Sequence, residues 1–320
     1  MDSLAQFLMG ACVGQLILGP KHKGKGALIG GIAGSLPDLD VIPLMTRSVV
    51  DQLVHHRGIS HSLLFCFFSP FVFGWFSRQF IRWNITYLRW YIFWAIAFFT
   101  HTLLDVMTTW GTQLFWPFSK KTSLDSLFII DPLITLPLLI GCIGSTWKRS
   151  YKPALVGVCF ITFYLIFSIT AHSFMMSKFK NAFETQQIKI DSQMVRPTPF
   201  NTLFWAVSAT TDSEELIFGY ARLWDSPNTI EFSKPVNQNL EQLTPIAQRY
   251  DLNQLLAITR GFYIVESSEN IIVIKDARFG KFGGWTDIDN DSFIFQYRFD
   301  VKTKKWTQYR PPLNNKGQLF

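Results

Sequence analysis

His55-His56-Arg57-Gly58-Ile59-Ser60-His61-Ser62 stands immediately before a long apolar run that begins at Leu63. This segment places three imidazoles and one guanidinium within eight residues at the mouth of a hydrophobic stretch. Ionisable groups are costly in such a place unless they have a function. We therefore interpret the segment as half of a metal site.

The composition around this segment is that of a membrane protein. Of 320 residues, 48% are hydrophobic, 16% are aromatic and only 17% are charged, whereas about 25% are charged in ordinary soluble domains. The long apolar runs lie before about residue 172, and a more polar half follows. The sequence predicts an α-helical integral membrane domain over residues 1–172, with about five to six spans, and a small soluble α+β domain over residues 173–320.

The distribution of basic residues predicts an orientation. Spans are predicted at residues 4–19, 26–36, 60–77, 86–107, 132–147 and 153–171, and basic clusters at 21–25, 78–89 and 148–152 fall on alternate connections. The positive-inside rule places these clusters in the cytoplasm, although Lys120 and Lys121 then lie outside. All candidate ligands and the C-terminal domain are consequently predicted to be extracytoplasmic. No signal-peptide pattern precedes the first helix, which we expect to be retained.

Neither the net charge nor the cysteines indicate a further function. The net charge of +7 is explained by membrane topology, so nucleic acid is not a predicted partner. All four cysteines lie in apolar segments without C-x-x-C spacing, which is typical of buried packing residues. In the polar half, alternating runs at 217–223 and 292–299 predict strands, and residues 240–256 predict a helix.

The Pro37-Asp38-Leu39-Asp40 turn supplies two candidate carboxylates. In an extended conformation, residues two apart point the same way, so Asp38 and Asp40 could both bind a cation. The alternative is a turn with helix-capping carboxylates. At this stage the two interpretations are equally supported.

The histidine segment supplies His56 and His61, five residues apart with Gly58 between them. This spacing fits a loop that enters a helix, with Ser60 as the N-cap and His61 in the first turn. Arg57 is then free to face an anion. A single interfacial histidine would more often be structural, but three in seven residues favour a metal or anion site, and His55 is the least favoured of the three.

His101 and Asp105 are four residues apart in an apolar helix and share one face. Such a pair can be a purely structural hydrogen bond or two ligands of a first-row metal. Asp131 precedes Pro132 and fits an ordinary helix start. It is also a candidate for orienting a ligand histidine.

Together these residues predict the ligand set of a zinc, manganese or iron hydrolase. A bound metal of this kind lowers the pKa of a coordinated water and makes hydroxide available near neutral pH. Arg57 is suited to bind a phosphate or carboxylate in bidentate fashion. From the position of the site alone, the predicted substrate is an ester or phosphoester of a membrane lipid or lipid-linked molecule.

Several motifs in order resemble the YdjM-like family of LexA-regulated, inner-membrane metal-dependent hydrolases. They span about residues 1–205 and end near Arg196-Pro197-Thr198-Pro199 and Trp205. The motifs are Asp2-Ser3-Leu4, Pro37-Asp38-Leu39-Asp40, His56 to Leu63, His101 to Thr112, Pro117-Phe118-Ser119 and Ile130-Asp131-Pro132.

The resemblance implies a bacterial cytoplasmic-membrane protein that is a hydrolase, distantly related to zinc-dependent phospholipase-like proteins. The family commonly reads D-S-L-T-H at its start, whereas this chain has Ala5-Gln6 after Leu4. An amide oxygen at Gln6 is a much weaker transition-metal ligand than an imidazole. Whether one or two metals are bound is left open, as is the oligomeric state.

The main hypothesis from the sequence is a membrane-embedded metal-dependent hydrolase, with Arg57 and Asp131 in catalytic roles. Its predicted metal ligands are Asp38, Asp40, His56, His61, His101 and Asp105. The alternative is a non-enzymatic, metal-stabilised membrane scaffold whose outer domain binds a partner. A transporter is disfavoured because the ionisable groups cluster at one end of the spans and not along a path.

Overall fold

The computed structural model describes residues 1–309 except 20, 21, 23, 119, 282, 290 and 292. Lys21 and Lys23 of the first basic cluster, Ser119 of the Pro-Phe-Ser motif and Ser292 of a predicted strand lie outside the described residues. The chain divides into two compact units. The first contains residues 1–43, 56–170 and 199–201, and the second contains residues 44–55, 171–198 and those from 202 onward.

Nine α-helices form within the described part of the chain. They are α1 (Ser3–Ile17), α2 (Gly24–Ser35), α3 (Val41–Leu44), α4 (Val49–His55), α5 (Leu63–Phe80), α6 (Tyr87–Val106), α7 (Pro132–Lys148), α8 (Lys152–Thr185) and α9 (Tyr250–Thr259). The sequence predicts a domain boundary between residues 172 and 173, which lies inside helix α8. That boundary stays a prediction. The helix predicted at residues 240–256 is a 3-10 segment, Leu240–Ile246, followed by α9.

Capping side chains explain where several helices begin. Asp2 accepts hydrogen bonds from the backbone N–H groups of Leu4 and Ala5, and Asp131 accepts one from Leu133. The predicted helix start at Asp131 is therefore confirmed. The predicted N-cap at Ser60 is wrong, because Ser62 caps α5 and residues 59–61 form a separate 3-10 turn.

Helices α1 and α2 pack backbone against backbone, as the small residues of this hairpin predict. A Cβ atom added at Gly10 would lie 2.2 Å from the Gly30 carbonyl oxygen, and one at Gly14 would lie 2.1 Å from the Gly26 oxygen. No side chain fits at these crossings. The hairpin brings the end of α2, and the Asp38 turn that follows it, beside the beginning of α1.

The prediction of five to six spans is not supported. Within the residues that the structure describes, two apolar helical segments, Gly24–Leu44 and Lys152–Thr185, are long enough to cross a membrane, and Val49–His61 with Leu63–Phe80 makes a third if that bent pair is one span. Helix α1 has only 15 residues, or about 22 Å, against a hydrocarbon core of about 30 Å. Helix α6 is continuous, but Arg89, His101 and Asp105 interrupt its run of apolar residues.

The second unit contains two antiparallel four-stranded sheets. Their orders are β1-β2-β3-β4 and β5-β6-β7-β8. The strands are β1 (Ser192–Pro197), β2 (Phe204–Thr210), β3 (Glu215–Arg222), β4 (Val236–Asn237), β5 (Tyr263–Ser268), β6 (Ile271–Asp276), β7 (Gln296–Asp300) and β8 (Lys305–Tyr309). Phe218 of the first sheet packs in one core with Ile264 of the second. The strand predicted at 217–223 corresponds to β3, whereas the one predicted at 292–299 begins only at Gln296.

Candidate metal centre

Four side chains of the first unit converge on one point: Asp38, His61, His101 and Asp105. One ligand-type atom from each lies within 4.8 Å of all the others. The Nε2 atom of His61 lies 2.9 Å from Nε2 of His101 and 3.3 Å from both Asp38 Oδ1 and Asp105 Oδ2. Both histidines and Asp105 are buried, whereas the Asp38 side chain is 24% exposed. Two imidazoles with two carboxylates form a donor set that suits a first-row divalent metal.

A hydrogen bond from the ring identifies the tautomer of His101. Its Nδ1 lies 2.6 Å from the carbonyl oxygen of Gly34, at the end of α2. A carbonyl oxygen only accepts hydrogen bonds, so Nδ1 must carry the proton. In the neutral ring, Nε2 therefore presents its lone pair to the four-residue group.

The tautomer of His61 follows from Ser60. The Ser60 hydroxyl donates to Asp40 Oδ2 at 3.0 Å, and its oxygen lies 2.9 Å from His61 Nδ1. Since the hydroxyl proton is directed at the carboxylate, the oxygen accepts from Nδ1–H, and Nε2 of His61 is also a bare lone pair. Two lone pairs then face each other at 2.9 Å beside two carboxylates. That arrangement is repulsive unless a cation lies between them, either a metal ion bound by both rings or a proton on one Nε2.

The two aspartates of the Pro37–Asp40 turn do not point the same way. Leu36–Asp40 forms a 3-10 helix and is not extended, so residues two apart are separated by about two thirds of a turn. Asp38 faces the two histidines. Asp40 instead contacts His56 Nδ1 at 2.7 Å and accepts from the Arg57 backbone N–H at 2.9 Å.

Asp40 and His56 therefore form a pair beside the four-residue group and are not among its members. The His56 side chain is 33% exposed, and its ring centroid lies 6.0 Å from that of His61. A direct ligand role for either residue stays a prediction. Their observed contacts support His61 through Ser60, a residue that the sequence suggested only as a helix cap.

Arg57 is buried and points at Asp105. Its Nε lies 3.0 Å from Asp105 Oδ2, and its Nη1 donates to Thr108 Oγ1 at 3.4 Å. The backbone of Arg57 is in the left-handed region, with φ at 64°, which is uncommon outside glycine and is often found at functional sites. The predicted role of Arg57 in binding a substrate anion stays a prediction.

Gln6 holds the other oxygen of Asp105. Its Nε2 donates to Asp105 Oδ1 at 3.1 Å and to the His101 carbonyl oxygen at 3.1 Å, and the amino group of Met1 also contacts Oδ1. These donors leave Asp105 Oδ2 for the four-residue group. Gln6, at the sequence position where the resemblance led us to expect a histidine, thus holds the Asp105 carboxylate in place.

Asp131 lies apart from this group. Its Oδ1 caps α7 through Leu133 N–H at 2.9 Å, and its Oδ2 accepts from the Tyr164 hydroxyl at 2.6 Å. Burial raises the pKa of Asp131, although these two donors oppose the shift. Within the described residues its contacts are those of a helix cap, and its catalytic role stays a prediction.

Comparison with known proteins agrees with this motif order. Residues 1–175 match the family described as YdjM inner membrane protein. The chain belongs to this family. All four converging residues, together with Gln6, Asp40 and Ser60, lie inside the matched region. The resemblance inferred from the motifs is confirmed over this region, which is shorter than the 205 residues expected.

Two relatives cover smaller parts of the chain. It is 33% identical over 113 residues to the inner membrane protein YbcI of Escherichia coli strain K12, across 34% of this chain and 64% of that protein. It is 28% identical over 145 residues to the uncharacterized protein YfhP of Bacillus subtilis strain 168, across 43% and 41% respectively. The matches thus span less than two thirds of either relative, and neither name states an activity. No solved structure matches the chain.

Proposed function

We propose that this protein is a membrane-embedded metal-dependent hydrolase whose metal is held by Asp38, His61, His101 and Asp105. The observation that carries the proposal is the pair of bare Nε2 atoms 2.9 Å apart in a buried site. Zinc is the metal we propose, because it accepts a set of two imidazoles and two carboxylates and needs no thiolate. Manganese and iron are the competing metals.

The surrounding residues have distinct tasks in this proposal. The metal would supply a water molecule of lowered pKa as the nucleophile. Ser60 and Gly34 hold protons at the Nδ1 atoms of His61 and His101, and thereby direct both Nε2 atoms at the metal. Arg57 holds Asp105 in place and offsets part of the carboxylate charge. His56, positioned by Asp40, is a partly exposed imidazole beside the site and is suited to contact the substrate.

The substrate class and the orientation are also proposals. Family membership and the apolar helices support a site within or beside the inner membrane, so an ester or phosphoester of a lipid or lipid-linked molecule is the substrate class we propose. The basic residues on alternate connections support an extracytoplasmic site in a multi-pass protein.

The burial of the ligands favours a second candidate function. His61, His101 and Asp105 are at most 1% exposed, and four protein ligands in a closed site are typical of structural zinc. A metal-stabilised membrane scaffold would show this arrangement. The partial exposure of Asp38 is the feature that instead favours an accessible catalytic metal.

Elemental analysis of the detergent-purified protein tests the metal first. We expect about one equivalent of a transition metal in the wild type and its loss in His61→Ala and in His101→Ala. His55→Ala is the matched control, because within the described residues the His55 ring bonds to the Asp51 carbonyl in the preceding turn and to none of the four converging residues; it should keep the metal. Absence of metal in the wild type after reconstitution would refute the centre.

Turnover separates the two functions once the metal is established. Purified wild type would be assayed on a panel of lipid phosphoesters and carboxylic esters, before and after chelation. Hydrolysis that is lost on chelation and restored by zinc supports the hydrolase. Bound metal without hydrolysis, together with a large fall in melting temperature on chelation, supports the scaffold and contradicts the hydrolase.

A further inference from the structure

Described residues of two connections meet at one end of the first unit: His22, between α1 and α2, and Trp83, between α5 and α6. His22 stacks on Trp83, with ring centroids 3.8 Å apart and planes inclined by 6°. Arg89 donates from Nε to the Ile17 carbonyl oxygen, and its guanidinium lies beside Gly19. Hydrogen bonding to the last turn of α1 therefore fixes the direction of the Arg89 side chain.

Lys25 belongs to the same group of side chains. Lys25 precedes Gly26, where an added Cβ would lie 3.6 Å from the carbonyl oxygen of Gly19, the residue beside the Arg89 guanidinium. Partial burial, Arg89 and Lys25 all lower the pKa of His22, in agreement with this placement. The neutral form of His22 is favoured as a result. Among the described residues, Arg89 and Lys25 are thus two permanent cations near a neutral pair of stacked rings.

The helices that build this end provide no acidic residue to balance the two cations. Residues 3–37 and 52–104 contain no aspartate or glutamate. On α6, Arg89 and Asp105 are 16 residues apart, which corresponds to about 24 Å along the helix. The basic group is therefore separate from the candidate metal centre, and an anion from outside the chain would complement its charge.

We propose that His22, Lys25, Trp83 and Arg89 bind the phosphate of an anionic phospholipid headgroup. Arg89 and Lys25 donate to the phosphate oxygens, and His22 and Trp83 are amphipathic rings of the kind that favours the membrane interface. Exposed Phe80 and Leu88 flank the same turn and offer apolar surface to the acyl chains. A basic pocket between helices at a membrane surface is a recurring form of lipid recognition.

A test of this proposal must distinguish binding at a specific site from the general attraction of a basic surface to an anionic membrane. General attraction depends on the number of cations near the surface, whereas a site depends on which cations are removed. Lys25 and Arg89 can be compared with Arg78 and Arg82, which carry the same total charge and precede Trp83 in the same turn region.

The experiment is a titration of the full-length protein in detergent with phosphatidylglycerol or phosphatidylcholine, with bound lipid counted by native mass spectrometry. We expect phosphatidylglycerol to bind preferentially and the double variant Lys25→Gln/Arg89→Gln to weaken it about tenfold or more. The double variant Arg78→Gln/Arg82→Gln should change binding by less than about threefold. Lys25→Gln alone, at an exposed position, keeps the test valid if removal of Arg89 disturbs α1.

Three results would overturn the proposal. Equal weakening by both double variants would show general attraction, and equal binding of the two lipids would show no headgroup selectivity. Displacement of the lipid by millimolar inorganic phosphate would show a site for soluble phosphate. None of these results bears on the metal centre, which the elemental analysis tests separately.

Discussion

Buried ionisable groups occur in both units, but they are satisfied differently. In the second unit, Asp276 and Arg278 are almost fully buried and pair at 2.7 Å, with a second hydrogen bond from Arg278 Nε to Asp276 Oδ1 at 3.0 Å. Lys275 is similarly paired with Glu266 at 2.6 Å. In both of these pairs a buried positive group faces a carboxylate.

In the first unit the buried groups leave a region of excess lone pairs. The Nε2 atoms of His61 and His101 face each other, and Asp105 Oδ2 has no aligned hydrogen bond, although Arg57 Nε lies 3.0 Å away. Buried polar atoms without partners are rare and call for an explanation. The comparison teaches that these two ion pairs are complete within the chain, whereas the four-residue group has lone pairs available to coordinate a cation.

The largest effect on stability is expected from breaking the buried ion pair between Asp276 and Arg278. Asp276→Asn leaves Arg278 buried without its carboxylate and should cost about 3–5 kcal/mol. Thermal unfolding of the purified protein, with and without chelator, measures this loss. The loss should be independent of the metal, because no group of the four-residue centre is changed.

Arg249→Gln is the control for this prediction. Arg249 and Asp251 form an ion pair with the same 2.7 Å distance, but their side chains are 33% and 27% exposed. Such pairs contribute about 0–1 kcal/mol. Equal losses in the two variants would contradict the view that burial makes the Asp276 pair important.

A smaller effect is expected from Ser60→Ala, which alters the surroundings of the four-residue group without removing one of its members. The variant loses the hydroxyl that joins Asp40 to His61 Nδ1, so the tautomer and the ring orientation of His61 are less well determined. We expect about 10–100-fold weaker metal binding, measured by competition with a chromogenic chelator. This expectation rests on the proposed metal centre.

Ser69→Ala provides the matched serine control, because the Ser69 hydroxyl donates to the Phe65 carbonyl oxygen within α5. Its metal affinity should equal that of the wild type. If Ser60→Ala also binds metal with unchanged affinity, then the His61 tautomer does not depend on Ser60, and the argument for two opposed lone pairs loses one of its two supports.

Part of this site can be predicted from local sequence. His101 and Asp105 recur at helical spacing, so their shared face is visible without a structure. Asp38 and His61 were recognisable as ionisable residues at the ends of apolar segments. The structure brings these four together because the glycine hairpin places the end of α2 beside the start of α1.

Other features depend on tertiary structure. Asp40 diverges from Asp38 because residues 36–40 wind as a 3-10 helix, and alternation alone cannot distinguish that winding from an extended segment. The Gly34 carbonyl is a backbone group and leaves no sequence signal. The predicted span count is not supported, because apolar composition alone does not separate a membrane-crossing helix from a short helix packed against its neighbours.

The smallest effect concerns a buried carboxylate of the first unit that has its own partners. Burial raises the pKa of Asp131 above 3.8 in the folded state, so the folded protein binds more protons than the unfolded chain between pH 3.8 and the folded pKa. Stability therefore falls as pH rises through that window and is unaffected by Asp131 below it. Asp131→Asn, which keeps a side-chain oxygen for the Leu133 cap, should lose this pH dependence.

Melting temperatures of wild type and Asp131→Asn across the acidic range test the sign, and the difference between the two proteins removes contributions from other carboxylates. Asp212→Asn, at an exposed turn, should follow the wild type. The Asp131 effect should persist in chelator, because Tyr164 and Leu133 and not a metal satisfy this carboxylate. If chelation abolished the difference, the Asp131 effect would depend on the metal. Asp131 would then have to be counted with the four-residue group and not with the carboxylates that are satisfied by protein partners.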